Sequence, residues 1–424
     1  MKMNTTLTEG EVMKAAYTRR DFFKTVGVGS LAVATPAFSA STKPHIVVVG
    51  GGFSGATCAK YLKLWGGSSI EVTVIEPNRS YVSPVLSNLV LNGQKTTTAL
   101  TFGYASHASN YQVTMLHQSV IHIDKAGKML ALDNGQQVSY DKLVLAPGID
   151  FVTPNPYDFD KVPHAWIAGE QTTILKRKLD SMVDGDTFVM TVPAAPYRCP
   201  PGPYERACVV ADYLKNTKGF TNSSIIVLDA NSTFTVEATT FGAKFNSYGI
   251  DYRTDCVVTH VDDATSTVRF RQHGSTDSIS ATVLNVIPNQ KAAKLIFDTG
   301  LNDGNWAPVN LLSYESTLTR DIFIIGDSHA SGQPKAGHIG NGEAKICADA
   351  ILRQLSNIAL YPSPKTNSAC YSPVSSTEAS WLAAVFKYKD GQMVLAKVDS
   401  GAPSTRNYQN MFNWSGNLFN DTFS

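Results

Sequence analysis

The stretch RCPPGPYERA at residues 198–207 places Cys199 between an arginine and two prolines, with Glu205 close behind. An apolar, strand-like run precedes it at 187–192, and a helix-like run follows at 204–214. A thiol held in a proline-stiffened loop at a helix N-terminus is a candidate redox group, because the helix end lowers the pKa of the thiol. Glu205 is either a proton acceptor for an incoming thiol or an ordinary first-turn acid, and the residue types leave both interpretations open.

A second pattern with chemical meaning is the glycine run in HIVVVGGGFSGATCAKYLKLWG at 45–66. Gly50 permits a tight turn, Gly52 lets the backbone approach a pyrophosphate, and Gly55 allows close packing of helix on strand. The next strand ends at Glu76, where an acid accepts hydrogen bonds from a ribose 2′-hydroxyl. The sequence therefore predicts a dinucleotide site, with the pyrophosphate at the helix N-terminus.

Two later segments favour FAD as that dinucleotide. YDKLVLAPGID at 140–150 follows an Asn134-Gly135 hairpin signal and is similar to the strand and turn that close the first half of two-dinucleotide flavoproteins. DIFIIGDS at 321–328 resembles their second FAD signature, in which Gly326 precedes Asp327 and the aspartate binds the ribitol chain. The alternative for Asp327 alone is a helix cap after a strand.

Residues 163–291 alternate apolar runs with helical patterns and predict a second unit of the same kind. The expected fold is α/β, with two Rossmann-like three-layer domains: a discontinuous FAD domain at 44–162 and 292–352, and the unit just named. A carboxy-terminal α+β interface domain is expected at 353–424. The second unit has prolines and only Gly202 where an NAD site needs glycines and free N–H donors, so we expect no NAD site and no electrons from NADH.

The first forty residues are interpreted as a targeting segment. Arg19 and Arg20 precede a moderately apolar stretch at 25–38, which predicts a twin-arginine signal cleaved near Ala40 and a periplasmic location. The apolar run is shorter than the ~20 residues that span a bilayer, and we expect no stable membrane insertion.

The composition excludes several classes of function. Of the 424 residues 43% are hydrophobic and 17% are charged, with a net charge of +1, which does not suggest a nucleic-acid partner. There is no CxxCH motif for c-type haem and no spacing typical of a zinc site, so no metal is expected. Four cysteines are expected to be buried thiols: Cys58, Cys208, Cys256 and Cys347.

RCPPGPYERA, together with PHAWIAGEQT at 163–172, IIGDS and the terminal DTF at 421–423, resembles the flavoprotein subunit of flavocytochrome c sulfide dehydrogenases. The resemblance covers nearly all of the chain after the targeting segment. It implies a periplasmic relative of the glutathione reductase fold that oxidises sulfide at a cysteine pair beside FAD. The expected electron acceptor is a c-type cytochrome subunit, which carries the haem.

The resemblance also implies roles for individual residues. Cys199 is expected to be one redox cysteine and Cys370, in SACYS, the other, with a disulfide between them in the oxidised enzyme. Glu205 and Trp414 fall on active-site positions of the family. The alternative for Trp414 is an aromatic residue that packs the terminal segment.

Two further expectations concern the flavin. Many family members tether FAD through a cysteine in the segment that matches SYVSPVLSN, where this chain has Pro84, so we expect non-covalent FAD. Lys335, or the N-terminus of the helix that begins near 341, is expected to stabilise negative charge on the reduced flavin. An ordinary surface lysine is the alternative.

Two other functions compete with this interpretation. A sulfide:quinone oxidoreductase would use the same cysteines with a lipid acceptor, held by amphipathic carboxy-terminal helices. Residues 383–398 instead predict a hairpin around Asp390-Gly391, which favours an acceptor in solution. A non-catalytic flavin-binding partner of a cytochrome is the second alternative, and there Cys199 and Cys370 would form a structural disulfide.

Overall fold

The structure is a computed structural model that describes residues 43–424. The predicted twin-arginine segment and its cleavage site lie outside these residues. Within them, the two predicted Rossmann-like units are present, and the α/β fold class is confirmed.

The first unit is built on an eight-stranded sheet with His45–Val49 near its centre. This strand pairs in parallel with Glu71–Ile75 on one side and Lys142–Leu145 on the other, and its Ile46–Val49 portion is buried. A strand segment covered on both faces must be apolar, which explains the run of one isoleucine and three valines at 46–49. The strands follow one another across the sheet in the order His329–Ala330, Ala307–Asn310, Glu315–Ser316, Ile322–Ile324, Lys142–Leu145, His45–Val49, Glu71–Ile75, Thr114–Leu116.

Two long helices, Phe53–Gly66 and Gly337–Leu355, pack against each other and against this sheet. A three-stranded antiparallel sheet lies beside it, formed by Val120–Asp124, Met129–Leu132 and Gln137–Ser139. The hairpin predicted at Asn134-Gly135 is confirmed, and Gly135 has the positive φ that such a turn requires.

The second unit repeats the plan with a four-stranded parallel sheet. Its order is Asp251–Arg253, Ser224–Asp229, Thr187–Val192, Val283–Val286, and its helices are Glu170–Ser181, Gly202–Asp212 and Ala238–Tyr248. A three-stranded antiparallel sheet follows, formed by Val257–Asp262, Thr267–Gln272 and Ser275–Ser280. Ile149–Val152 and Asn289–Ala292 pair antiparallel where the chain enters and leaves this unit.

The carboxy-terminal part is a three-stranded antiparallel sheet followed by a helix. The strands are Lys365–Pro373, Ala379–Lys389 and Gln392–Ser404, and the helix is Thr405–Phe423. The predicted hairpin at Asp390-Gly391 is confirmed, with positive φ at both turn residues. Ser404 caps the helix, because its side chain accepts a hydrogen bond from the Asn407 N–H.

Shorter elements connect these layers. They are the helices Asn88–Leu91, Ala105–Tyr111 and Lys294–Asp298, the paired strands Ser80–Val82 and Thr101–Gly103, the 3₁₀ turns Gly67–Ser69, Thr98–Leu100 and Gly326–Ser328, and the π-helical turn Tyr213–Thr217.

Candidate active site

A cavity of about 730 Å³ extends from the glycine turn of the first unit to the cysteine loop of the second. Most residues singled out by the sequence line it. They are Gly50, Gly52, Glu76, Pro84, Cys199, Glu205, Gly326, Asp327, Cys370 and Trp414. Of the remaining two, Gly55 lies directly behind the lining and Lys335 lies outside it.

The glycine turn is shaped for a phosphate group. Gly50 has a φ of +105°, and a Cβ there would overlap the carbonyl oxygen of Ala146. A Cβ on Gly55 would overlap the carbonyl oxygen of Gly50, so the helix can approach the strand only without a side chain. Glu76 accepts a hydrogen bond from the Gly51 N–H at 2.8 Å, which fixes its carboxylate beside the turn. These residues fit a bound dinucleotide.

Asp327 also lines the cavity, and it is held by Arg198, a residue that was not among the predicted site residues. The Nε of Arg198 donates to Oδ2 of Asp327 at 2.6 Å, and both side chains are largely buried. A buried arginine–carboxylate pair of this kind holds both partners in place. The only sequence signal for Arg198 is its position directly before Cys199, so the contact with Asp327 links the cofactor cradle to the cysteine loop.

Lys335 differs from our expectation. Its ammonium donates to the carbonyl oxygens of Asp327 and His329 at 2.9 and 2.8 Å and lies 3.6 Å from the centre of the Trp306 ring. Burial lowers the pKa of Lys335 to about 8. Because these backbone and ring contacts occupy the ammonium behind the cavity wall, the lysine does not contact the cofactor space. The helix begins at Gly337, earlier than the expected start near 341, and its first two residues, Gly337 and His338, line the cavity.

The loop that carries Cys199 is held by the backbone on both sides. Cys199 has a φ of +56°, its N–H donates to the carbonyl of Lys335 at 2.7 Å, and its carbonyl accepts from the Gly202 N–H at 2.9 Å. A non-glycine residue keeps such a conformation only where the surroundings impose it. Cys370, from the distant strand Lys365–Pro373, lines the same cavity. The structure therefore brings the two predicted redox cysteines to one site, where both are unbridged thiols.

The electrostatics at these cysteines correct one expectation. Burial, followed by the neighbouring Glu205 and Cys370, raises the pKa of Cys199 well above its usual value. Burial also raises the pKa of Cys370 to about 11. The prediction that the helix end lowers the pKa of Cys199 is wrong, because the loss of hydration outweighs the helix end. Both thiols keep their protons at neutral pH unless a base removes them.

Glu205 is the group placed to do so. Its side chain is buried, and its Oε1 accepts a hydrogen bond from Nδ2 of Asn88 at 2.8 Å. Burial raises the pKa of Glu205 to about 8, although Asn88 and Arg206 act in the opposite direction. A carboxyl with a pKa near neutrality, in the same cavity as two thiols, can exchange protons with them. Sequence reasoning missed Asn88, which lies far from Glu205 in the chain.

Trp414 and Pro84 complete the wall. Trp414 packs against Tyr371, with ring centres 5.8 Å apart, and against His338, with ring centres 6.1 Å apart. Among residues 43–424, the cysteines that line the cavity are Cys199 and Cys370, and Pro84 stands in the segment where the family tether was expected. The four other cysteines are buried thiols, as predicted.

The corresponding strand–helix junction of the second unit is filled by the protein's own side chains. Asp229, at the end of the second strand, accepts hydrogen bonds from the hydroxyls of Tyr204 and Tyr252 at 2.7 and 2.8 Å. Phe234 stacks on Tyr252 with ring centres 4.2 Å apart. An acid at this place in a working site would accept ribose hydroxyls. Tyrosine hydroxyls take that role here, and aromatic rings occupy the adjacent space.

Comparison with known proteins agrees with this arrangement. A pyridine nucleotide-disulphide oxidoreductase model matches residues 44–184, the model for the central part of the sulfide dehydrogenase (flavocytochrome c) flavoprotein chain matches 172–288, and a flavocytochrome c sulphide dehydrogenase flavin-binding model matches 362–423. The sulfide:quinone oxidoreductase of Aquifex aeolicus superposes with a TM-score of 0.73 at 15% identity, over 90% of this chain and 92% of that one. The fold and site therefore define an FAD-dependent oxidoreductase of the pyridine nucleotide-disulphide type.

Curated relatives narrow the class. The chain is 51% identical to the sulfide dehydrogenase (flavocytochrome c) flavoprotein chain of Chlorobaculum thiosulfatiphilum over 46 residues, which are 94% of that sequence and 11% of this one. It belongs to the family of flavocytochrome c sulfide dehydrogenase flavoprotein chains. A match to rubredoxin-NAD(+) reductase of Pseudomonas putida, 30% identical over 105 residues, spans 24% of this chain and 27% of the relative. The chain thus matches only about a quarter of that relative's length.

Proposed function

We propose that this protein oxidises sulfide at Cys199 and Cys370 and passes the electrons, through FAD, to a c-type cytochrome partner in the periplasm. The observation that carries the proposal is that two cysteines, far apart in the chain, line one cavity together with a dinucleotide cradle and a buried carboxyl. Titratable groups with perturbed pKa values in a large cavity are typical of functional sites.

The cofactor would be held by groups already described. The glycine turn and the N-terminus of Phe53–Gly66 would bind the pyrophosphate, Glu76 the ribose and Asp327 the ribitol chain. When bound, FAD supplies an acceptor for two electrons that can be passed on singly to a haem.

The sulfur chemistry belongs to the cysteine pair. Attack of HS⁻ on a Cys199–Cys370 disulfide breaks the S–S bond, leaving a persulfide on one cysteine and a thiolate on the other. A second HS⁻ attacks the outer sulfur of the persulfide and releases HSSH, which loses a proton to become HSS⁻. Re-forming the Cys199–Cys370 bond then releases two electrons. In sum, two HS⁻ give HSS⁻, one proton and two electrons.

Glu205 would handle the protons of this cycle. Because burial holds the pKa of Cys199 and Cys370 high, each thiolate tends to take up a proton, which must leave again before the disulfide can re-form. Because its pKa is raised to about 8, Glu205 is ionised in a minority of molecules at pH 7, and in that state it takes up the proton of a thiol. Asn88 keeps the carboxyl oriented in both protonation states, since its amide donates to Oε1.

Sulfide rather than a reduced nicotinamide is the proposed electron donor. The second unit has prolines where a nucleotide site needs N–H donors. Its acid, Asp229, already accepts hydrogen bonds from the hydroxyls of Tyr204 and Tyr252. The cysteine loop stands where a nucleotide loop would lie.

The acceptor is proposed to be a cytochrome because the family is the flavoprotein chain of a flavocytochrome and this sequence has no CxxCH motif of its own. No helix within residues 43–424 combines the length and apolar character needed to cross a bilayer. The likeness in fold to a sulfide:quinone oxidoreductase makes a quinone the second candidate acceptor.

One assay separates these acceptors. Purified protein with sulfide is offered horse cytochrome c or decylubiquinone, and the initial rates of reduction are compared. We expect the cytochrome to be reduced faster, and faster still with the co-purified haem subunit. Preferential reduction of the quinone would replace the cytochrome proposal with the quinone one, and reduction of neither would remove both.

We also propose that FAD is bound without a covalent tether and that the protein is exported. Pro84 and its neighbours Ser83 and Val85 offer no thiol for a thioether. Acid precipitation should release the flavin into the supernatant, and flavin that stays with the pellet would contradict this.

Export is checked by fractionating the native host and replacing Arg19 and Arg20 with lysines, which should retain the protein in the cytoplasm.

A further inference from the structure

The strand that carries Cys370 is an edge strand, and its outer side needs support. Among the described residues 43–424, Lys365–Pro373 pairs with Ala379–Lys389 alone, at the edge of a three-stranded sheet. Alternate N–H groups of an edge strand point away from the sheet and need other acceptors. The N–H of Ala369, directly before Cys370, finds its acceptor at 3.0 Å in Nδ1 of His338.

His338 joins three elements of the site. It is the second residue of the helix Gly337–Leu355, it lines the cavity, and it accepts the Ala369 N–H from the cysteine strand. Its ring packs against Trp414 at an interplanar angle of 61°, and Nε1 of Trp414 lies 3.5 Å from the same Nδ1, a long hydrogen bond. Nδ1 of His338 thus contacts both the backbone beside Cys370, through the Ala369 N–H, and the Trp414 side chain.

These contacts define the protonation of the ring. A nitrogen that accepts two N–H groups carries no proton, so the proton of the neutral imidazole sits on Nε2. Burial lowers the pKa of His338, which keeps the ring neutral. With Nδ1 occupied and Nε2 protonated, His338 has no free lone pair and is not placed to act as a base.

We propose that His338 is a positioning residue whose Nδ1 holds the Cys370 strand and Trp414 in place against the cavity. Its effect on catalysis rests on the function proposed above, whereas its effect on Cys370 can be measured without turnover. No local sequence pattern marks this histidine, because its partners come from two distant segments.

The test uses two amides that mimic different ring nitrogens. In His338→Asn, Oδ1 falls near the position of Nδ1 and can accept the Ala369 N–H. In His338→Gln, the amide reaches the position of Nε2 and leaves Nδ1 without a substitute. His338→Ala removes both positions, and His122→Asn, at an exposed position on the strand Val120–Asp124, is the matched control.

The main readout is the alkylation rate of Cys370 in the reduced protein, followed by mass spectrometry of the peptide that contains it. We expect His338→Gln and His338→Ala to raise this rate roughly fivefold, as for the loss of one buried hydrogen bond. His338→Asn and His122→Asn should stay close to the parent protein. Flavin content and the thermal unfolding midpoint show that each variant is folded.

Three results would overturn the proposal. They are parent-like alkylation in all three His338 variants, an asparagine variant as reactive as the alanine variant, or a glutamine variant that alone behaves like the parent. Where sulfide turnover is measurable, we expect kcat to fall about tenfold in His338→Gln while KM changes little, because geometry and not substrate affinity is lost. Lack of sulfide turnover in the parent would remove the proposed function but leave the alkylation result to decide the role of His338.

Discussion

The two Rossmann-like units of this protein share a backbone plan but carry different chemical groups at their strand–helix junctions. In the first, His45–Val49 runs through a glycine turn into Phe53–Gly66, and in the second, Thr187–Val192 runs through a proline loop into Gly202–Asp212. The first junction is open to the cavity through Gly50 to Gly52. The second presents a cysteine to that same cavity.

The acids that follow the two junctions show the same contrast. Glu76 lines the cavity and is held by backbone N–H groups, so its carboxylate can face a ligand. Asp229 is fully buried and accepts two tyrosine hydroxyls. A Rossmann-like layer therefore supports either nucleotide binding or the positioning of a thiol, and the loop residues decide which.

The largest expected effect comes from the cysteine of the second junction. Cys199→Ser should lower sulfide-dependent cytochrome reduction by more than about 1000-fold, because without Cys199 no Cys199–Cys370 disulfide can form for HS⁻ to attack. FAD content should be unchanged, since the first junction is intact. Cys256→Ser is the control, as this buried thiol bonds to the carbonyl of Thr254 and a serine can do the same. Substantial activity in Cys199→Ser would mean that the second junction does not carry the chemistry.

Glu205→Gln should lower turnover by about 100-fold, the usual contribution of a positioned acid–base group. It should also change stability. The pKa of Glu205 is raised from 4.5 to about 8 in the folded protein, so the folded state favours the protonated carboxyl. The free energy of unfolding therefore falls as the pH rises from about 4.5 to about 8, by on the order of a few kcal/mol from this group.

Chemical unfolding of parent and Glu205→Gln across that pH range checks this, with Asp133→Asn as an exposed control. The glutamine variant should show a flatter pH dependence and higher stability at pH 8. The same slope in both proteins would show that Glu205 is ionised at little cost, and its role as proton acceptor would lose its basis.

A pair of alanine substitutions separates the two junctions. A Cβ on Gly52 would lie 3.4 Å from the Tyr81 ring, which the fold tolerates, but it would stand where the backbone must approach a pyrophosphate. Gly52→Ala should therefore weaken FAD binding roughly tenfold or more. A Cβ on Gly202 would lie 2.9 Å from the sulfur of Cys199, so Gly202→Ala should keep FAD and lose sulfide turnover. Flavin titration of the apoprotein and a turnover assay distinguish the two variants. Equal loss of FAD binding in both would contradict separate roles for the two junctions.

The smallest expected effect is with NADH. Stoichiometric NADH should leave the flavin absorbance unchanged over minutes, whereas sulfide should bleach it, because Tyr204, Tyr252 and Phe234 lie around the acid of the second junction. Anaerobic absorbance spectra make the comparison. Rapid bleaching by NADH would show that the aromatic cluster at Asp229 does not close the site.

The first junction could be predicted from the sequence in nearly every respect. A buried strand, glycines at fixed spacing and an acid at the next strand end are local features, and local sterics determine them. The same holds for the turns at Asn134-Gly135 and Asp390-Gly391, where the positive φ limits the choice of residues.

The sequence by itself thus predicted the two Rossmann-like units, the glycine turn for a dinucleotide and the stiff loop around Cys199. Tertiary structure alone decided that Arg198 meets Asp327, Asn88 meets Glu205 and His338 meets the Cys370 strand. The pair of Cys199 and Cys370 was expected from the family resemblance, and the structure places both in one cavity. It also reversed the expected direction for the pKa of Cys199 and placed Lys335 outside the cavity. The physical reason is that turn geometry depends on adjacent residues, whereas burial and long-range contacts depend on how whole layers pack.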